Sequence, residues 1–324
     1  KHLHWFFWES YSTWLSGFAL FTVSYLWNAS TYLVDKSRMD WAPSTAIAVA
    51  LGFLAVFWLL YDLACRTFGQ KKNGDAIVGV LVLGLVCVAS WLACHWFAGR
   101  AAFLLVGAMI ATAMSANVFF WIIPGQRTVV AQIKAGQPVD PIHGKRGKQR
   151  SVHNTYFTLP VLFAMLSNHY SFTWSHPQNW LVLILMMFAG AAIRQFFVAR
   201  HGYKLGRNGN PLPYALAGVA VLLAAIVWMR PAPTAPAPAG AAAPVADFAT
   251  VQGVLAQRCY SCHGAQVQMK NLRFDTADAV RQNAQAIYQQ VVVQKLMPMN
   301  NATGMTDAER TLVRQWFEAG AAPR

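Results

Sequence analysis

Seven apolar runs of 16 to 23 residues, close to the roughly 17 to 25 that cross a hydrocarbon core, dominate this chain: Trp14 to Val34, Ser44 to Ala64, Ala76 to Phe97, Ala101 to Ile123, Tyr156 to Phe172, Trp180 to Ala199 and Tyr214 to Met229. A segment in lipid must satisfy its backbone hydrogen bonds internally, so runs of this kind predict an all-α fold, a polytopic transmembrane helix bundle. The fifth run is interrupted by Pro160 and has polar residues at both ends; packing against neighbouring helices can absorb such a break. Trp41, Trp96, Trp174, Trp180 and Trp228 fall near run ends, where an interfacial aromatic belt belongs. Composition agrees, with 56% hydrophobic residues, 13 Trp and only 12% charged residues.

The formal net charge of +14 does not indicate a nucleic-acid partner. Residues 1 to 230 hold 18 Lys and Arg against 6 Asp and Glu, and the remainder holds 8 against 6. The excess therefore belongs to the membrane part, where its placement reports orientation. Loops on one side collect Lys1, the Arg66 to Lys72 group, Arg127 to Arg150 and Arg200 to Arg207, thirteen cations in all, while Lys36, Arg38, Arg100 and Arg230 lie on the other. Positive charge marks the cytoplasmic side, so everything after the last run is expected outside. Lys1 is not an initiator methionine and no signal-peptide pattern follows it, so further N-terminal sequence is expected.

Residues 231–246, a Pro/Ala stretch without apolar periodicity, read as a semi-rigid linker between a membrane domain (1–230) and a small C-terminal domain (247–324). In the latter, helices are expected over Phe248 to Gln257 and Thr306 to Glu318, the second opened by Thr306 with Glu309 as a capping box. Before them in importance stands Cys259-Tyr260-Ser261-Cys262-His263. Two thiols at this spacing can bond the two vinyl groups of one porphyrin, and the adjacent imidazole then faces the iron: covalent haem c. A zinc site would need a second ligand pair, and a redox dithiol would not need His263. Met297 and Met299 both offer a sixth ligand, which would raise the potential; Met297, followed by Pro298, is preferred. Cys65, Cys87 and Cys94 read as small buried apolar groups. Haem attached outside the membrane agrees with the orientation taken from loop charge.

Polar groups within or beside the runs invite functional hypotheses. Helix direction places Glu9, Asp62, Asn117, His153, Asn154, Arg194 and Gln195 toward the cytoplasmic face, and His95, Asn168, His169 and His176 toward the outer one. Arg194 with Gln195 can clamp a flat anion carrying carbonyl and ring N–H groups; alternatively Arg194 snorkels to lipid phosphates. His153 reads as an interfacial imidazole, a catalytic base or a metal ligand. His95 and His169, on the haem side, are candidates for a second haem or metal centre.

Three stretches, Trp5 to Phe18, Ser151 to Phe163 and Met165 to Tyr170, together with Thr303-Gly304-Met305-Thr306 after Met297-Pro298, resemble the membrane-bound cytochrome c urate oxidases of the PuuD type. That resemblance covers nearly the whole chain. It implies an eight-helix membrane domain joined to a cytochrome c, conversion of urate to 5-hydroxyisourate, and electrons leaving through the haem rather than as hydrogen peroxide. The chain departs from it in showing seven runs and starting at Lys1, so the family's first helix is expected to lie outside these residues, and any ligands on it are not assigned. The expected partners are urate, a lipid bilayer and a downstream respiratory acceptor such as a cytochrome or terminal oxidase, with no nucleic acid. The expected location is a bacterial inner membrane with the haem domain in the periplasm. The alternative is an anchored electron-transfer subunit serving a respiratory or quinol-linked partner; a haem sensor would need a signalling domain.

Overall fold

A computed structural model describes residues 6–230 and 246–321, and among these no strand occurs. The linker reading at residues 231–245 lies outside the described residues. Two compact units are present, one with residues 6–29 and 42–230, the other with 30–41 and 246–321. Assignment of the loop 30–41 to the second unit has no counterpart in the sequence reading.

The helices up to the linker are α1 (Phe6–Phe21), α2 (Ala29–Tyr32), α3 (Pro43–Phe68), α4 (Gly74–Trp96), α5 (Gly99–Asn117), α6 (Ile123–Lys134), α7 (Pro141–Leu166), α8 (Ser171–Trp174), α9 (Asn179–Lys204) and α10 (Leu212–Trp228). Those after it are α11 (Phe248–Arg258), α12 (Tyr260–His263), α13 (Ala277–Gln282), α14 (Ala284–Tyr288) and α15 (Asp307–Glu318). Among the described residues four helices are long and apolar enough to cross a membrane: α3, α4, α9 and the continuous run Gly99–Lys134, in which a π turn, Val118–Ile122, joins α5 to α6. The other three expected spans are helical but do not meet that measure. α1 begins well before Trp14 and passes into a π turn at Thr22–Leu26, α7 opens with a polar half, and α10 has 17 residues.

In the first unit α5 is the central helix, packing against α3, α4 and α7, while α7 continues the layer to α9 and α9 to α10. Its sequence explains the position: Ala101, Ala102, Val106, Gly107 and Ala113 are small or slender and all buried, which lets neighbouring backbones approach closely. Gly107 marks one such close approach, since a Cβ there would lie 2.7 Å from that of Ala164 on α7. Large apolar side chains such as Leu63, Val80 and Leu216 instead point outward and are exposed, as lipid-facing positions require.

α7 corrects the sequence reading most. It starts at Pro141, not Tyr156, and runs through Pro160 without a break. Asp140 caps its start, accepting from the Ile142 N–H at 2.9 Å, and Pro141 at the first position gives up no needed donor. The segment Gly144 to Arg150 is thus helical rather than loop, and this delivers Gln149, Arg150 and His153 to the bundle on successive turns.

The second unit packs Val251, Leu255, Ile287, Val313 and Trp316 into one core. The capping box at α15 forms as expected: Glu309 N–H donates to the Thr306 hydroxyl (3.2 Å) and Thr306 N–H to Glu309 Oε2 (2.7 Å). Thr306→Ala should cost about 1 kcal/mol, read as a lower unfolding midpoint for this unit in calorimetry.

Candidate functional site

Two sites emerge, one in each unit. In the first, the ends of α3, α5 and α7 bury a polar network. Asp62 is 5% exposed and Arg150 2%, and Arg150 Nη2 donates to Asp62 Oδ1 at 2.7 Å. Asp62 accepts two further bonds, from Arg66 Nε (2.6 Å) and from the Trp121 indole N–H (2.7 Å). The π turn places Trp121 four residues after Asn117, and both face the pair. Arg150 lies over the rings of Tyr61 and Trp121, 4.9 and 5.1 Å from their centroids, and its Nη1 donates to Asn117 Oδ1 at 3.3 Å. Asn117 in turn donates to the Tyr61 hydroxyl and to Asn154 Oδ1, both at 2.9 Å. The chain of contacts ends at His153, whose Nδ1 is 2.9 Å from the Tyr61 hydroxyl and 3.8 Å from Cys65 Sγ.

His153 also lines a cavity of about 810 Å³ between α4, α7 and α9. Val82, Phe157, Pro160 and Met187 form its apolar walls, and Lys71, Lys145 and Lys148 line it too. Gln149 and Asp75, both in the lining, are bound to each other, Gln149 Nε2 donating to Asp75 Oδ1 at 2.6 Å and to the Gly69 carbonyl at 3.0 Å. Only glycine fits at position 69, where a Cβ would lie 2.3 Å from Gln149 Oε1. A largely apolar cavity with a few placed polar groups is the usual form of a small-molecule site.

Of the three expected site residues, His153 is in the cavity and Gln195, one half of the expected clamp, is one contact away, accepting from the hydroxyl of Tyr156, itself a lining residue. Arg194 does not line the cavity; its Nε is buried without a hydrogen-bond partner among the described residues. At the other end of the bundle, Asn168 Oδ1 accepts from Tyr25 and from Arg100, each at 3.0 Å. His95 is exposed on α4 with Nδ1 2.7 Å from the Trp91 carbonyl, and His169 is exposed in a 3₁₀ turn after α7. No group of three or more His, Cys, Asp or Glu side chains able to hold a metal ion occurs among the described residues.

Arg150, Tyr61 and Trp121 are the participants that sequence reading missed. Arg150 counts as a loop cation as long as the helix is taken to begin at Tyr156. Asp140-Pro141, an N-cap followed by proline, is the signal that would have moved that start, since Arg150 and His153 then share a helix face. Nothing in the sequence marks Tyr61 or Trp121 apart from other aromatics.

In the second unit, α11 leads directly into the one-turn α12 that carries Cys262 and His263, with Cys259 as its cap. Both thiols are free, Cys259 buried and Cys262 half-buried. Burial and then the neighbouring Cys262 push the Cys259 thiol up to about 11. His263 Nδ1 lies 3.3 Å from the Leu272 carbonyl, a contact that holds the proton on Nδ1 and leaves Nε2 with a lone pair for a metal. Met297 is half-buried against the core, and Met299 is also half-buried. Arg310 donates to the Met297 carbonyl at 2.8 Å and to that of Val291 at 2.5 Å. Arg258, next to Cys259, donates to Glu309 at 2.9 Å and to the Thr303 carbonyl at 2.5 Å. These two arginines tie the methionine loop and the cysteine turn to the same helix, α15, and the donor set fits a covalently bound haem.

A search of curated proteins and of solved structures found no match. Residues 1–230 match the family model described as urate oxidase N-terminal, and the chain belongs to that family.

Proposed function

We propose that the chain is a membrane-bound urate oxidase that converts urate to 5-hydroxyisourate and delivers the electrons to its own haem c. The reaction balances as urate plus water giving 5-hydroxyisourate, two protons and two electrons. The observation that carries the reading is the cavity at His153: it lies within the family-matched residues, it is apolar enough for a flat ring, and three lysines line it. Lysine cations attract an anion and raise its local concentration. Gln149, Asp75 and Tyr156 offer donors and acceptors of the kind that oxo and ring N–H groups need. Cys259 and Cys262 would attach the haem, with His263 and Met297 as axial ligands. When bound, that group supplies a one-electron acceptor whose potential a Met ligand would raise.

We propose a bacterial inner membrane with the cavity mouth on the cytoplasmic side and the haem domain in the periplasm, a reading supported by the distribution of positive charge along the chain. A downstream cytochrome or terminal oxidase is the proposed final acceptor. His95 and His169 are the residues we would test for a second redox centre between the two sides.

The reading is tested by turnover with an excess of an added oxidised soluble cytochrome c as electron acceptor, in air, with hydrogen peroxide measured alongside. The full chain should consume urate while releasing far less than one peroxide per urate. A Cys259→Ala, Cys262→Ala protein should lose most of that turnover. Stoichiometric peroxide from the double variant at the wild-type rate would remove the haem from the mechanism.

A further inference from the structure

His153 is where the buried network meets the cavity, and the direction of each hydrogen bond in the network can be worked out from groups that have no choice. Arginine carries only donors, so the Asn117 atom facing Arg150 Nη1, 3.3 Å away, is its oxygen. An independent constraint agrees. The Met114 carbonyl can only accept, so Asn154 turns its amide nitrogen there at 3.0 Å, leaving its oxygen for Asn117 Nδ2 at 2.9 Å. Asn117 Nδ2 is therefore also the donor to the Tyr61 hydroxyl. With its oxygen already accepting, Tyr61 has its own proton to place, and His153 Nδ1, 2.9 Å away, is the acceptor in reach. The reverse arrangement, Nδ1–H donating to Tyr61, would leave the phenolic proton of a side chain that is 0% exposed with only the weak acceptor Cys65 Sγ, a poor exchange for a buried hydroxyl. Cys65 Sγ, 3.8 Å from the same nitrogen, can donate or accept weakly, so it leaves the direction to Tyr61.

We infer that His153 rests as the neutral Nε2–H tautomer, so that the ring nitrogen left for the cavity is a hydrogen-bond donor, and that its task is to bind an acceptor atom of a planar oxo-purine anion. This rests on the urate reading of the cavity. It also separates two roles open to His153: a base must offer a lone pair, and in this tautomer the lone pair is spent on Tyr61. Tyr61, Asn117 and Arg150 are positioning residues, and the Asp62 carboxylate anchors the series by fixing Arg150.

The test uses the full, haem-loaded chain. In ¹⁵N-histidine-labelled protein, with the His153 signal assigned by its loss in His153→Gln, Nδ1 should appear unprotonated and Nε2 protonated. Tyr61→Phe should give a mixture of tautomers. A wild-type spectrum with Nδ1 protonated overturns the inference. In equilibrium binding, His153→Gln, which keeps an N–H donor, should weaken urate binding by less than about tenfold, whereas His153→Leu should weaken it by about 10- to 100-fold. If instead His153→Gln binds urate as wild type does but loses about 100-fold or more in kcat, His153 is a base and the inference fails. Wild-type protein that binds no urate refutes the substrate reading and with it the ligand named here, whereas a protonated Nδ1 in protein that does bind urate refutes the donor role alone.

Discussion

Replacing Arg150 with leucine should destabilise the membrane unit by about 3–5 kcal/mol, the largest loss expected from any single change in it. The reason is the carboxylate left behind. Asp62 is 5% exposed and takes its most buried bond from Arg150, so removing the guanidinium strands a charge away from water. Arg66 also reaches Asp62, but its side chain is 60% exposed, and solvent screens such a pair to about 0–1 kcal/mol. Arg66→Ala should therefore change little. The double variant Asp62→Leu, Arg150→Leu should recover much of the loss, because a well-packed apolar pair can match a buried ion pair. Thermal midpoints of the four proteins in one detergent decide the matter. Equal losses for Arg66→Ala and Arg150→Leu would mean that the Asp62 charge is not held as described.

That cluster also shows where the sequence was legible and where it was not. Asp62, Asn117, His153 and Asn154 sort to one end of the bundle by helix direction alone, and the structure brings all four into one network. Direction along an apolar run is fixed by its order in the chain, so this much is readable. The rotation of each helix is not, because a run apolar on every side has no face to read; Tyr61 and Trp121 accordingly look like any membrane aromatic. Arg150 was hidden for a different reason: a polar, basic half-helix has no apolar periodicity, and only the Asp140-Pro141 start announces it. Arg194 and Gln195 show the limit of adjacency. Neighbours in sequence stand about 100° apart on a helix, and only Gln195 connects to the cavity, through Tyr156. In the second unit the start of α15 was readable because its signal is contiguous: the capping box at Thr306, whose bonds form as expected.

Removing both attachment cysteines should have the clearest chemical effect. Wild-type protein should keep a haem signal after denaturing electrophoresis, and Cys259→Ala, Cys262→Ala should show none while still reaching the membrane, since neither cysteine belongs to the membrane unit. Met297→Ala, with the attachment intact, should alter the haem spectrum and lower its potential, as loss of a thioether ligand does; Met299→Ala should not. The loop is held through its backbone, by Arg310 on the Met297 carbonyl, so the substitution removes a ligand without releasing the loop. An unchanged spectrum in Met297→Ala would move the ligand to Met299 or away from methionine. Wild-type protein with no haem signal would refute the cofactor.

The central claim is that one polypeptide both binds urate and takes its electrons, and the most direct measurement is the absorbance of the purified, oxidised full-length protein when urate is added without oxygen. The account predicts haem reduction by urate alone, with two haems reduced per urate consumed, and reduction slowed about 10- to 100-fold in an otherwise folded His153→Leu protein at the same urate concentration, set well below saturation. Haem that stays oxidised with urate, yet is reduced at once when a quinol or a partner dehydrogenase is supplied, would contradict it and leave the chain as an anchored electron carrier.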